Sequence, residues 1–311
     1  MTTIIDAHSH LWLKQDTTWN GLTIRSKAGG RADFLGQEVQ MIPPFLVDGR
    51  NSAEAFLSNM DYAQVSTAVV VQELIDGCQN DYLAQVVSRW PDRFVVCGMV
   101  DLLHPQATAD EYVRQTIELH RQGFRGMAIP GHRLLLDDRR LRLTDPRFMA
   151  MYRQMERLGM FLSVTLADGD LQVDELREVI QECPTLRIAI GHFGMPTCPG
   201  WEQQVLLARY PNVYVEAGGI TWLYHSEFYP YPSAVRAIRE AAAMVGMEKL
   251  MWGSDYPRTI TAITYRMSYD FILKSSELTE AEKQLFLGGN AMRFYGIRPE
   301  IELLYIKNMS E

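Results

Sequence analysis

The chain has 311 residues, of which 47% are hydrophobic, and its formal net charge is −8. This composition supports a large core, and the acidic balance argues against binding to nucleic acid or to an anionic membrane surface. No run of about 18 apolar residues predicts a membrane-spanning helix, and we find no signal peptide. The four cysteines form no CxxC pair or disulfide pattern, so we expect a reduced, cytoplasmic protein.

Eight short apolar runs, rich in β-branched residues, predict buried strands. They lie at residues 3–8, 67–72, 93–100, 125–130, 160–166, 186–192, 212–217 and 249–255. Segments with helical periodicity separate them, often bounded by a capping Ser or Asp and a final Gly or Pro. These predicted helices lie at 52–64, 80–90, 108–123, 145–159, 174–183, 201–210 and 232–246. The alternation predicts an α/β fold, a (β/α)8 TIM barrel, as one domain over residues 1–311.

Two segments exceed what such a barrel needs. Residues 13–51, rich in Gly and polar residues, form an insertion after the first strand. They leave the C-terminal end of that strand, so we expect them over the barrel mouth, where active sites of this architecture lie. The tail from about residue 279, "TEAEKQLFLGGNAMRFYGI", predicts two short helices.

The stretch "IIDAHSHLW" places two histidines at the end of the first strand. Residues i and i+2 of a strand point to the same face, so His8 and His10 both point into the barrel at the end where the site should be. Two neutral imidazoles at this spacing can hold one divalent metal ion. The competing interpretation is a pair of core histidines satisfied by their neighbours.

Other polar residues also end predicted strands. "IAIGHFGMP" places His192 after the sixth strand, and "LMWGSDYP" places Asp255 after the eighth. A carboxylate that follows an apolar run is costly unless it is paired or bound to a metal, although Asp255 could instead cap a helix. Glu216 on the seventh strand could be a site residue or part of a structural ion pair, while Glu73 has a weaker claim.

These motifs resemble a known family. "DAHSHLW", "GHFGMP", "GSDYP" and "LGGNAMRFYG" are similar to the amidohydrolase-related family within the amidohydrolase superfamily, from residue 4 to about 297. The resemblance implies a (β/α)8 barrel in which His8 and His10 are the first-strand metal pair. It also implies that His192 is the sixth-strand catalytic histidine and Asp255 the eighth-strand aspartate. The family contains metal-dependent decarboxylases and has lactonases as neighbours.

The fifth strand departs from the decarboxylase pattern. It contains "MFLSVTLADGD", where Thr165 stands about where those enzymes have a further histidine ligand. Three ligands would remain for a divalent metal, with zinc as the first candidate: His8, His10 and Asp255. A catalytic zinc site can have three protein ligands, and the lactonase branch includes enzymes that work without a metal.

Three functional hypotheses follow. The first is a hydrolase of a small lactone, or of a related cyclic or activated ester that carries a carboxylate, in which Asp255 activates water and His192 is also catalytic. Arg258, His132 and Tyr256 are the expected substrate contacts, with Arg133 as a second arginine for a carboxylate. The second is a metal-dependent non-oxidative decarboxylase of an aromatic or unsaturated acid, and the third is an inactive barrel that binds a ligand.

The expected partner is a small-molecule substrate. A homodimer is also possible for this family, because several aromatic residues lie near the C-terminus and could form a contact or pack the terminal helices. They are Phe286, Phe294, Tyr295 and Tyr305.

Overall fold

The computed structural model describes residues 3–137 and 141–307. Its strands, in chain order, are β1 (Ile5–Ser9), β2 (Asp16–Trp19), β3 (Leu22–Ser26), β4 (Arg31–Phe34), β5 (Gln37–Gln40), β6 (Thr67–Val70), β7 (Phe94–Gly98), β8 (Gly126–Pro130), β9 (Phe161–Thr165), β10 (Arg187–Ile190), β11 (Val213–Glu216) and β12 (Leu250–Met251). Eight of them form a parallel sheet in the order β1-β6-β7-β8-β9-β10-β11-β12. The N–H of Ala7 donates to the carbonyl oxygen of Trp252 at 2.9 Å, which joins β1 to the residues after β12. The predicted (β/α)8 barrel is confirmed.

The helices lie between and after the barrel strands. They are α1 (Ala53–Tyr62), α2 (Asn80–Arg89), α3 (Ala109–Arg121), α4 (Gly131–Leu136), α5 (Pro146–Arg157), α6 (Val173–Glu182), α7 (Trp201–Leu206), α8 (Ile220–Leu223), α9 (Pro232–Val245), α10 (Met267–Lys274), α11 (Glu280–Gln284) and α12 (Asn290–Tyr295). Side chains cap several of them as the sequence indicates: Asp145 accepts the N–H of Arg147, and Thr279 forms a capping box with Glu282. A π-helical stretch, Leu285–Gly289, joins the two predicted tail helices.

The insertion contains a sheet that was not predicted. Strands β2 to β5 pair antiparallel in sequence order. Asn20 and Gly21 both have positive φ between β2 and β3, as a two-residue hairpin turn requires. The sheet lies at the barrel mouth as expected, because the guanidinium of Arg133 stands 4.7 Å from the ring centroid of Trp19.

Apolar side chains fill two layers. One lies between the sheet and the helices, and the other is inside the barrel. Phe294 and Tyr295 of the terminal segment pack in the inner layer, and Phe286 is also buried, whereas Tyr305 is exposed. Three of the four C-terminal aromatic residues thus pack the tail onto the barrel. None of the described helices combines the length and apolarity needed to cross a bilayer.

Candidate active site

The C-terminal ends of β1 and β12 bring three predicted site residues together. His8 Nε2 lies 3.2 Å from His10 Nε2, and Asp255 Oδ1 lies 3.0 Å from His10 Nε2. The distance from Asp255 Oδ1 to His8 Nε2 is 3.8 Å. All three side chains are almost completely buried, so the first-strand histidines and the eighth-strand aspartate converge on one point.

A β-bulge in β1 directs His8 to this point. The register between β1 and β6 shifts between Asp6 and Ser9, where three residue steps on β1 oppose two on β6. The extra residue lets the neighbours Ala7 and His8 both face the barrel interior, whereas a regular strand would alternate them. The bulge therefore places His8 on the inner face of β1, next to the core residue Ala7.

Glu216 of β11 fixes the ring of His8. Its Oε1 lies 2.7 Å from His8 Nδ1, and its Oε2 accepts the N–H of Gly218 at 2.5 Å. Because Nδ1 donates to this carboxylate, Nε2 carries the lone pair in the neutral ring, as a metal ligand needs. Burial alone would lower the pKa of His8, but the charges of Glu216 and Asp255 raise that pKa to about 8.

A second buried carboxylate, Asp76, stands behind His10. Its Oδ2 lies 3.3 Å from His10 Nδ1, and its Oδ1 accepts hydrogen bonds from Arg258 Nη2 at 2.9 Å and Gln15 Nε2 at 2.7 Å. Burial would raise the pKa of Asp76, but the charge of Arg258 and the contact with His10 lower it. Sequence reasoning missed this residue, whose one signal is its place shortly after a barrel strand.

The two oxygens of the Asp255 carboxylate contact different groups. Trp222 Nε1 donates to Oδ2 at 2.8 Å, and the backbone N–H of Asp255 donates to the carbonyl of His8 at 2.9 Å. Oδ1 is buried between His10 Nε2 at 3.0 Å and Arg258 Nη1 at 3.9 Å. Burial raises the pKa of Asp255, but the adjacent His10 and Arg258 outweigh this effect and hold that pKa well below its usual range. Trp222, which the sequence analysis does not single out, thus contacts the site.

His192 lies at the end of β10 and lines the same cavity. Its Nδ1 is 2.8 Å from the carbonyl oxygen of Gly218, so Nδ1 donates and Nε2 carries the lone pair. Its ring centroid lies 4.6 Å from that of His8. Burial and the nearby His8 lower the pKa of His192, which keeps the imidazole neutral at neutral pH.

His132 and Arg133 of α4 form the other wall. Arg133 Nη2 donates to Glu73 Oε2 at 2.9 Å, so this guanidinium is already paired. Burial lowers the pKa of His132 to about 4. The Nη1 of Arg258 is buried and forms no hydrogen bond in the described part of the chain, although it lies 3.9 Å from Asp255 Oδ1 as an ion pair. Arg258 is therefore the arginine whose Nη1 can still donate a hydrogen bond to a ligand.

These side chains enclose a cavity of about 200 Å³ at the C-terminal ends of the strands. Thr165 lines it from β9, at the place where the resemblance suggests a histidine. Tyr256 does not: its fully buried ring stacks on Phe56 of α1, with 4.0 Å between ring centroids. This corrects the expectation that Tyr256 contacts substrate, because burial of its aromatic ring directs it into the helix layer.

The arrangement of His8, His10 and Asp255 fits a divalent cation. One ligand atom from each lies within 4.8 Å of the others. Two imidazole nitrogens and a carboxylate oxygen are electron-pair donors, and a catalytic zinc site can consist of three such ligands. Glu216 and Asp76 stand behind the two histidines, as carboxylates commonly do behind metal-bound histidines.

Comparison with known proteins gives one family. A family model described as Amidohydrolase matches residues 5–297. An L-fucono-1,5-lactonase from Burkholderia ambifaria is 28% identical to this chain, over 96% of the chain and 97% of the relative. A 2-amino-3-carboxymuconate-6-semialdehyde decarboxylase from Dictyostelium discoideum is 23% identical, over 95% of the chain and 92% of the relative. The chain is thus similar to both a lactonase and a decarboxylase.

Two solved structures share the fold. That of a probable 2-pyrone-4,6-dicarboxylic acid hydrolase from Acinetobacter baumannii, with citric acid bound, has a TM-score of 0.70 at 21% identity and covers 95% of this chain and 100% of that one. That of an amidohydrolase from Burkholderia multivorans with bound zinc has a TM-score of 0.68 at 17% identity, with the same coverage.

Proposed function

Because the chain belongs to the amidohydrolase family, we propose that it hydrolyses a small lactone, or a related cyclic or activated ester, that carries a carboxylate. The observation that carries this proposal is the content of one buried cavity. Two histidines and Asp255 converge on one point, and the guanidinium of Arg258, whose Nη1 has no hydrogen bond among the described residues, lines the same space. The volume of about 200 Å³ is below the roughly 300–1,000 Å³ of pockets for drug-sized ligands, so the substrate should be a single small ring.

His8, His10 and Asp255 are the proposed ligands of a divalent cation, and zinc is the first candidate because a structure with the same fold has zinc bound. Such a cation, when bound, polarises a carbonyl oxygen and lowers the pKa of water. Glu216 and Asp76 hold the two histidines in the orientation that this role requires.

Asp255 is the proposed acceptor of a proton from the attacking water. It is ionised at neutral pH and lines the cavity, with its Oδ1 3.0 Å from His10 Nε2. A carboxylate with so low a pKa is a weak base, because proton transfer is most efficient when the pKa of the base is near the working pH. His192, neutral and with its lone pair on Nε2 in the same cavity, is the second group that can take up this proton.

Arg258 is the proposed partner of the substrate carboxylate. Its Nη2 is anchored by Asp76 at 2.9 Å, which fixes the position of Nη1, 3.9 Å from Asp255 Oδ1 and without a hydrogen bond among the described residues. A guanidinium held in this way suits a planar carboxylate. His132 is uncharged at neutral pH because its pKa is about 4, so it is expected to contact an uncharged oxygen of the substrate.

The Asp255→Asn variant tests this function. We expect loss of turnover by about 10²–10⁴-fold, the usual contribution of a positioned acid or base, with an unchanged far-UV circular dichroism spectrum. The assay is proton release from a panel of sugar-acid and pyrone lactones. Wild-type turnover of a lactone that Asp255→Asn retains in full would refute the assigned role.

A second candidate is a metal-dependent decarboxylase of an aromatic or unsaturated acid. The observation in its favour is the relative from Dictyostelium discoideum, whose name is that of a decarboxylase and which matches 95% of this chain. The same arginine and histidines could hold an acid substrate. Release of carbon dioxide without consumption of water would select this reaction, whereas tight ligand binding without any product would identify an inactive barrel.

We also propose that the protein works in the cytoplasm, which the four cysteines support because none is in a disulfide. A homodimer stays a prediction, and sedimentation of the purified chain would test it.

A further inference from the structure

We propose that Trp222 is a positioning residue for Asp255. Its indole N–H fixes Oδ2 of the carboxylate and thereby makes Oδ1 the oxygen that faces His8 and His10. The inference rests on the proposed function for the role of Asp255, but the contact itself can be tested without any substrate or metal.

The two oxygens of the carboxylate have different neighbours. The backbone N–H of Asp255 is bonded to the carbonyl of His8, so the main chain is fixed and the side-chain torsion remains free. Trp222 Nε1 holds Oδ2 at 2.8 Å, whereas the neighbours of Oδ1 are His10 Nε2 at 3.0 Å and Arg258 Nη1 at 3.9 Å. Those two groups belong to the proposed cation and substrate site, so among the described residues Trp222 holds the carboxylate from outside that set. Hydrogen bonds to a charged group contribute more than neutral ones, so the carboxylate should remain in this orientation.

Gly219 provides the space for the indole. A Cβ atom at Gly219 would lie 1.7 Å from Trp222 Nε1, a distance that no side chain can tolerate. Gly219 also has φ +69°, a conformation that side chains other than glycine disfavour. The indole of Trp222 therefore lies across the backbone just before α8, and the bond to Asp255 depends on glycine at that position.

Two variants and two matched controls separate this role from simple packing. Trp222→Phe keeps an aromatic ring but removes the N–H, and Gly219→Ala displaces the indole without changing it. Trp90→Phe removes an indole at the end of α2, outside the cavity. Gly159→Ala introduces alanine at φ +67° where the new Cβ meets no atom within 4 Å, so it reproduces the backbone strain without the clash.

The first measurement is the ¹H–¹⁵N spectrum of the indole groups in the whole protein without metal. The Trp222 signal is identified by its loss in Trp222→Phe, and we expect it to shift in Asp255→Asn and in Gly219→Ala. It should stay in place in Gly159→Ala. An indole signal that Asp255→Asn leaves unmoved would overturn the proposal.

The second measurement is the dissociation constant of Zn²⁺, from competition with a chromophoric chelator. We expect Trp222→Phe and Gly219→Ala to bind Zn²⁺ about 10–100-fold more weakly than wild type, as is typical when a residue that orients a metal ligand is lost. The two controls should match wild type. Equal affinity in all five proteins would refute the positioning role.

Wild-type protein that binds no Zn²⁺ would count against the metal in the proposed function and not against the contact. In that case the indole spectrum decides the inference by itself, because the contact between Trp222 Nε1 and Asp255 Oδ2 needs no metal.

Discussion

Replacement of Glu216 by glutamine tests how the first-strand histidine is held. The carboxylate accepts three hydrogen bonds in a buried place: from His8 Nδ1 at 2.7 Å, from the N–H of Gly218 at 2.5 Å and from the N–H of His192 at 3.3 Å. Glutamine keeps the shape but has one accepting oxygen and one NH₂ group. Whichever way the amide turns, the NH₂ faces at least one donor.

The expected loss in the free energy of unfolding is about 2–4 kcal/mol. An unsatisfied buried donor costs about 1–3 kcal/mol, and the lost hydrogen bond to a charged group contributed about 1.5–3 kcal/mol. Part of this loss is offset, because burying a neutral amide costs less free energy than burying a carboxylate. Equilibrium unfolding in guanidinium chloride, with a chelator present so that no metal contributes, measures this loss as a lower midpoint at constant slope.

Glu175→Gln is the matched control. The Glu175 carboxylate accepts the backbone N–H of Leu143 at 2.7 Å and a hydrogen bond from Arg142, but it lies at the periphery beside an exposed arginine. In Glu175→Gln, water can therefore accept the hydrogen bond of any donor that the amide leaves unpaired. We expect a loss of about 1 kcal/mol or less in the free energy of unfolding. If Glu216→Gln unfolds at the same midpoint as wild type, the carboxylate is not the acceptor that holds His8.

Two further predictions concern the cavity wall. Arg258→Lys keeps the positive charge beside Asp76 but loses the planar guanidinium. Steady-state kinetics on a carboxylated substrate should therefore show a KM raised roughly tenfold, with a smaller change in kcat. An unchanged KM would show that Arg258 does not contact the substrate. The pKa of His132 falls from 6.5 to about 4 on folding, so only the unfolded chain takes up this proton as the pH drops from 6.5 to 4. The stability that this residue contributes is fully present above pH 6.5 and is lost through that window. His132→Gln should therefore lose less stability than wild type between pH 7 and pH 4, by up to about 3 kcal/mol, and identical unfolding midpoints at each pH for the two proteins would contradict it.

The barrel could be predicted from the sequence because both of its determinants are local. Eight apolar β-branched runs alternate with seven predicted helices, and each run overlaps a strand of the barrel. The insertion sheet was missed because β2 to β5 are short, polar and partly exposed, which weakens the alternation of apolar and polar residues. The pair Asn20-Gly21 was the one strong signal for a hairpin there.

The position of His8 shows where the regular alternation of side chains along a strand fails. Alternation correctly puts His8 and His10 on one face, but it also puts His8 on the face opposite to Ala7, which packs inside the barrel. The bulge between Asp6 and Ser9 resolves this conflict, and it arises from the pairing of β1 with β6, which no local pattern encodes. Asp76 and Trp222 were missed for a related reason. Asp76 lies 66 positions from His10 and 182 from Arg258, and Trp222 lies 33 positions from Asp255, so these contacts form only in the folded barrel.

The backbone conformation just after β10 and β12 explains why the side chains of His192 and Asp255 enter the cavity. Both have positive φ, 51° and 59°, in the left-handed region that costs a residue with a side chain roughly 1–2 kcal/mol. The backbone amide of each residue donates a hydrogen bond to another residue of the site. The N–H of Asp255 donates to the carbonyl of His8, and the N–H of His192 donates to the carboxylate of Glu216. These bonds offset the strain, and the sharp turn ends the strand where the side chain enters the cavity. Strain of this kind persists only where the surroundings fix it, so the network around His8 and Glu216 not only orients a histidine but also maintains the turns that present the other two groups.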